Sequence, residues 1–76
     1  MNKNRKARFD DVTSLLENAK DELLDIQSEE QEAFDSLSEG LQCSSKGETM
    51  LEWVDFMDDV AGDIDKVIGK IEGKIK

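Results

Sequence analysis

The sequence predicts an all-α fold: an antiparallel two-helix hairpin of the coiled-coil type that dimerises into a four-helix bundle. Three observations predict it. Apolar residues recur at alternating steps of three and four along two long stretches, the chain has no proline, and a polar segment with two glycines separates the stretches. Alternating steps of three and four are typical of helices that pack against other helices. We expect a single helical-hairpin domain over 1–76, since a chain of this length forms one domain at most.

The first helix is predicted over 9–37, after a basic arm at 1–8. Its apolar stripe contains Phe9, Val12, Leu16, Ala19, Leu23 and Ile26. Glu30 interrupts this stripe, and apolar residues resume one step out of phase at Phe34, Leu37 and Leu41, which we expect to hold the turn against the second helix. A four-residue insertion of this kind is a stutter, which locally unwinds a coiled coil. We expect the helices to separate near Glu30, so that its carboxylate reaches water.

The second helix is predicted over 46–75, after a turn at 38–45. Gly40 and Gly47 indicate the break between the helices, and Ser45 with Glu48 forms a predicted capping box. The apolar stripe then continues to the end of the chain. It contains Met50, Val54, Met57, Ala61, Ile64, Ile68, Ile71 and Ile75. The short connection makes the two helices antiparallel neighbours.

Further apolar residues lie beside both stripes and predict an interface between hairpins. A two-helix hairpin covers only part of so wide an apolar face, and a second hairpin would bury the rest. The predicted oligomer interface contains Trp53, Val60, Val67, Leu15 and Leu24. We expect a homodimer or a higher homo-oligomer, because the core of a 76-residue chain is marginal by itself.

The residue types present argue against catalysis. The chain has no histidine and one cysteine, Cys43, so it lacks a histidine base, an internal disulfide and a complete set of zinc ligands. No glycine-rich phosphate loop is present. We expect no enzymatic activity, no catalytic residues, no cofactor and no bound metal. The unpaired thiol and the lack of an apolar span favour a cytoplasmic protein that does not contact a membrane.

Charge is distributed unevenly along the chain. The net charge is −9, but residues 9–65 contain eighteen acidic and two basic residues, a net charge of −16. Two interpretations remain open: a solvated surface that keeps the protein soluble, or a surface that binds a basic protein, including one that itself binds nucleic acid. In the second interpretation the partner-binding face contains Glu48, Glu52, Asp55, Asp59, Glu29, Glu32 and Asp35. We do not expect direct binding to nucleic acid.

Eight of the ten basic residues are predicted to meet at the end of the hairpin where both chain termini lie. Lysines in the last turn of a helix complement its dipole, whereas cations at the start of a helix do not. This end is therefore an alternative functional site, for a nucleotide or another small anion. The residues predicted to bind the anion are Lys3, Arg5, Lys6, Lys70 and Lys74.

The segment EEQEAFDSLSEGLQCSSKGE, at 29–48, resembles a recurring stretch of small acidic proteins of bacteriophages and prophages. The matched positions are 29–35, Glu39, Leu41, Gln42, Ser44, Gly47 and Glu48. This chain departs from the pattern at Ser38, where the others have proline, and at Gly40, where they have serine. The resemblance implies a small protein that acts inside a bacterial cell on a host or phage protein. It implies no catalytic residues.

Overall fold

Two long antiparallel helices and one short helical turn make up the structure, a computed structural model that describes all 76 residues. The elements are α1 (Lys3–Asp35), α2 (Glu39–Gln42) and α3 (Ser45–Ile75). The hairpin measures 59 × 15 × 13 Å, so it is one helix pair wide along its whole length. The predicted all-α hairpin is confirmed.

Helix α1 begins earlier than predicted. The Asn2 side chain accepts a hydrogen bond from the Arg5 backbone N–H at 2.8 Å, which satisfies one of the free donors of the first turn. Residues 3–8, predicted to be an arm outside the helix, are therefore the first turns of α1. The helix ends at Asp35, where the Ser36 backbone N–H and hydroxyl both donate to the Glu32 carbonyl.

The connection between the long helices is compact and mostly helical. Ser38 caps α2 by accepting a hydrogen bond from the Leu41 backbone N–H at 3.4 Å. The Gln42 side-chain amide donates to the Phe34 carbonyl at 3.1 Å, which ties α2 to the end of α1. Phe34 and Leu37 are half-buried, whereas Leu41 is 48% exposed. The turn is therefore held by polar contacts more than by Leu41.

The start of α3 differs from the prediction by one residue. Ser44, not Ser45, is the capping residue, and its hydroxyl accepts a hydrogen bond from the Gly47 backbone N–H at 3.5 Å. Gly47 lies inside the first turn of α3 and is buried. A Cβ at this position would lie 2.8 Å from the Leu41 carbonyl oxygen and closer still to the Gln42 carbonyl. Gly47 therefore permits close contact between the connection and α3, instead of interrupting the helix.

The predicted apolar stripe of α3 is the buried side of that helix. All eight of its members are buried or half-buried, and Met57, Ala61 and Ile68 are the most buried of the apolar residues, at 5%, 6% and 8% exposure. Only four residues of the chain are buried in total. The hairpin therefore has a narrow core, centred on the middle of α3.

The predicted stripe of α1 is only half correct. Phe9, Leu16 and Leu23 face α3, but Val12 and Ile26 are 42% and 47% exposed. A different row completes the buried side of α1: Thr13, Lys20, Gln27 and Phe34, all half-buried. Relative to the prediction, α1 is rotated about its own axis.

Polar contacts to α3 account for this rotation. The Lys20 ammonium lies 2.8 Å from an Asp65 carboxylate oxygen. The Gln27 amide donates to the Val54 carbonyl at 3.0 Å and to the Asp58 carboxylate at 3.2 Å. Phe34 stands seven residues after Gln27 in the same row, so the contact between the helices continues past Glu30 without a change of phase. The predicted stutter is therefore wrong.

Candidate functional site

The hairpin leaves one broad side apolar and uncovered, here called the apolar side. Ile26 of α1 and Trp53, Phe56 and Met57 of α3 line one groove on this side. The exposed side chains on it include Trp53 at 53%, Phe56 at 54% and Ile26 at 47%. By helical spacing, the same side carries Val12 and Leu15 of α1 and Val60 and Val67 of α3.

Four of the five predicted interface residues lie on the apolar side. Trp53, Leu15 and Val67 are 53%, 68% and 44% exposed, and Val60 is half-buried. Leu24 does not join them. It lies four residues after Lys20 and is half-buried on the opposite side of the hairpin.

Phe56 belongs to the apolar side but was not among the predicted interface residues. Its ring packs edge-to-face against Trp53, with ring centroids 5.6 Å apart and the ring planes at 90°. This geometry is favourable for aromatic pairs. The three-residue spacing between Trp53 and Phe56 could have revealed the pair, because residues three apart on a helix are neighbours.

The opposite side, here called the polar side, carries the hydrogen bonds between the helices. Lys20 and Asp65 form an ion pair, and Gln27 bonds to Asp58. The hydrogen bond and charge of Asp65 raise the pKa of the Lys20 ammonium above its usual value. The two sides of the hairpin thus differ in chemistry. These polar groups of the polar side are paired within the chain, whereas the apolar side exposes aromatic and aliphatic groups.

The predicted acidic residues of α3 form a row along the edge of the hairpin that faces away from α1. This row, here called the acidic stripe, contains Glu48, Glu52, Asp55 and Asp59, all exposed. None of the four accepts a side-chain hydrogen bond or forms an ion pair within the chain. Residues spaced by three and four have Cβ atoms roughly 5–6 Å apart, so the stripe presents a regular row of unpaired carboxylates.

Few charges are neutralised within the chain. The hairpin has nineteen acidic residues but only two ion pairs, Lys20–Asp65 and Lys76–Glu72 at 2.8 and 3.8 Å. The second pair joins neighbouring turns at the last residue and is largely exposed. Most of the charge of both signs is therefore available to other molecules.

The remaining acidic candidates lie at the C-terminal end of α1. Glu29, Glu32 and Asp35 are exposed, and the last turn of α1 has no basic residue. The first turn of the same helix has no acidic residue and contains Lys3, Arg5 and Lys6. Both ends of α1 thus carry the charge that its dipole disfavours. The ends of α3 follow the dipole rule, with Glu48 in the first turn and Lys74 in the last.

The structure brings three of the five predicted anion-binding residues together. Lys6, Lys70 and Lys74 line one groove with Phe9, Ile71 and Ile75. Arg5 lines a different groove with Val12 and Leu15, and Lys3 lines neither. The basic groove is thus formed by both helices, and apolar side chains share its lining with the lysines.

Few other side chains of the hairpin suggest a metal, catalytic or binding site. No group of three or more histidine, cysteine, aspartate or glutamate side chains is arranged to hold a metal ion. Cys43 is an exposed free thiol in the connection. Glu30 lies half-buried at the edge of the groove that contains Trp53, without an ion-pair partner. None of the three helices has an apolar stretch of the length needed to cross a membrane.

Comparison of the chain with protein-family models, with curated proteins and with solved structures finds no match. The fold and its surfaces therefore define a class only: a small acidic α-helical hairpin with one uncovered apolar side and one row of unpaired carboxylates.

Proposed function

We propose that this protein is a non-enzymatic interaction protein of the phage type. It self-associates through its apolar side and binds a basic surface of a host or phage protein through its acidic stripe, thereby modulating or inhibiting that protein. Its site of action would be the cytoplasm of a bacterial cell. The unpaired state of Glu48, Glu52, Asp55 and Asp59 supports this proposal most directly.

The charges at the two ends of α1 add a second argument. Solubility alone needs only a moderate net charge, and it does not require charges in positions that weaken a helix. Glu32 and Asp35 lie where the helix dipole disfavours them. Acidic residues at such positions are better explained by an interaction with another molecule. A row of carboxylates on a rigid helix also resembles a phosphate backbone electrostatically, so basic nucleic-acid-binding proteins are suitable partners.

The test is capture of partners from bacterial lysate with tagged protein, compared with two variants of equal net charge. The first variant, Glu52→Lys with Asp55→Lys, reverses the centre of the acidic stripe. The second, Glu17→Lys with Asp21→Lys, reverses two exposed residues of α1 outside it. We expect a partner that dissociates as salt is raised and is lost from the first variant only. Equal retention by both variants, or equal loss from both, would contradict a specific acidic stripe.

A second candidate function has one specific observation in its favour. Lys6, Lys70 and Lys74 line one groove together with apolar side chains, a combination that suits a nucleotide or another small anion with a planar group. Thermal unfolding with and without added nucleotides tests this function, because a ligand that binds only the folded state raises the melting temperature. The variant Lys70→Gln should remove the shift, and the variant Lys66→Gln, on the outer surface of α3, should retain it.

A further inference from the structure

The exposed area of the hairpin is larger than a single chain of this mass normally leaves in water. The accessible surface is 5833 Å² for 8.6 kDa. A folded monomer of that mass exposes about 4,700 Å². The excess of about 1,100 Å² exceeds the roughly 800 Å² that each partner buries in a standard protein interface. A second copy seated on the apolar side would remove this excess.

Two face-to-face arrangements of identical hairpins are possible with a two-fold axis. In the parallel arrangement the two connections lie together at one end, and like charges meet at both ends. In the antiparallel arrangement the basic end of each copy lies over the acidic connection end of the other. Residues 1–8 and 66–76 contain eight basic residues and one acidic residue, whereas 9–65 has a net charge of −16. Charge complementarity therefore favours the antiparallel arrangement.

We propose that two hairpins pack antiparallel through their apolar sides, with α3 against α3 and α1 against α1. This inference rests on the self-association proposed above and adds its geometry. The two-fold axis passes near the centres of both helices, which are Ala19 for Lys3–Asp35 and Val60 for Ser45–Ile75. Residues at equal distances on either side of these centres then face each other across the interface.

This register pairs residues of complementary size and charge. Trp53 of each copy faces Val67 of the other, and Ile26 faces Val12, so each of these two larger groups meets a smaller one. Arg8 faces Glu30. Both side chains border the apolar side, since Arg8 lines a groove with Val12 and Leu15 and Glu30 lines a groove with Trp53. The dimer thus supplies the ion-pair partner that Glu30 lacks within its own chain.

The arrangement also joins the two acidic stripes. Because α3 lies against α3, both stripes lie on the same edge of the dimer. Glu48 is twelve residues from the axis at Val60, or about 18 Å along the helix. The two stripes together span about 36 Å with two-fold symmetry, and Lys66 and Lys70 of each copy lie beside the outer part of the other copy's stripe.

The native Cys43 makes the orientation measurable without new cysteines. It is exposed and is the sole cysteine, in the connection at one end of the hairpin. Analytical ultracentrifugation first gives the mass of the complex. Electron–electron double resonance between nitroxide labels on Cys43 then gives the distance between the two connections. The antiparallel dimer predicts roughly 50 Å, and the parallel dimer predicts about 20 Å or less.

The outcomes separate the two levels of the proposal. A dimer with the long distance supports the antiparallel arrangement. A dimer with the short distance refutes this arrangement but leaves self-association intact, and a concentration-independent monomer refutes both. A trimer or larger closed assembly also refutes the two-fold arrangement. None of these results depends on whether the acidic stripe binds a partner, because the protein is measured by itself.

A charge swap tests the register independently. Arg8→Glu should weaken the dimer about tenfold or more, because it places like charges opposite each other twice. Adding Glu30→Arg to the same chain should restore the dimer. The double variant has the native net charge, so recovery of the dimer separates this pairing from a general effect of charge. Circular dichroism shows whether each variant keeps its helix content. If Glu30→Arg gives no rescue in a folded double variant, the register is wrong.

Discussion

Lys20 Nζ lies 2.8 Å from Asp65 Oδ1, and this contact joins residues 45 positions apart on α1 and α3. With Lys20 turned towards α3, the row that contains Val12 and Ile26 turns away from it. Lys20 and Asp65 are thereby paired within the chain on the polar side, whereas the apolar side stays uncovered and available to another molecule.

The Lys20–Asp65 pair should stabilise the hairpin in a pH-dependent way. Asp65 raises the pKa of Lys20, so the stabilisation is complete below the ordinary lysine pKa and is lost as pH rises through the raised value in the folded state. The difference in free energy of unfolding between the native chain and Lys20→Met should therefore be larger at about pH 8 than at about pH 11.5. Urea denaturation at both pH values measures it. A difference that stays constant or grows with pH would contradict the ion pair.

Replacement of Gly47 should destabilise the protein. Gly47→Ala places a Cβ against the Leu41 and Gln42 carbonyl groups, which belong to the backbone and yield only if the connection moves. We expect a loss of about 1–3 kcal/mol, as for other overpacked sites. Gly40→Ala is the matched control, because nothing lies within 4 Å of a Cβ there. Thermal denaturation of both variants measures the difference. Equal melting temperatures would show that the Leu41 and Gln42 carbonyl groups do not pack closely against Gly47.

Gly69 should be replaceable with a gain in stability. A Cβ at this position meets nothing within 4 Å, and the residue lies in the interior of α3, six residues before its last residue, with no positive φ. Gly69→Ala should stabilise by up to about 1 kcal/mol, because glycine costs that much in a helix interior. A gain of that size raises the melting temperature by roughly 4–8 °C in so small a domain. A lower melting temperature would instead reveal a helix packed closely against Gly69.

Neutralising the acidic end of α1 should strengthen the helix. Glu32 lies in the last turn, where the dipole disfavours a negative charge, so Glu32→Gln should stabilise by about 0.3–1 kcal/mol at low salt. Asp21→Asn, in the middle of the same helix, should have a smaller effect. Thermal denaturation at low and high salt provides the comparison, since salt screens the dipole effect. If Glu32→Gln lowers stability at both salt concentrations, the carboxylate has a structural role instead.

Several features were predictable from local pattern. The lack of proline, the three-and-four spacing and the polar segment between the stripes predict two antiparallel helices, and the buried stripe of α3 agrees at every position. Trp53, Val67 and Leu15 also stand out as apolar residues beyond a single seam. These predictions succeed because helix period and hydrophobic spacing are properties of neighbouring residues, which the chain order displays directly.

Tertiary structure decided which rows of α1 face α3. Phe9, Leu16 and Leu23 are compatible with two rotations, and hydrophobicity alone favours the row of Val12 and Ile26. The competing row prevails because Lys20 and Gln27 find specific partners on α3, at Asp65 and Asp58, that are far away in the chain. Such a choice depends on long-range pairing. It is also what leaves Ile26, Trp53 and Phe56 together in solvent, as the candidate surface for a second copy.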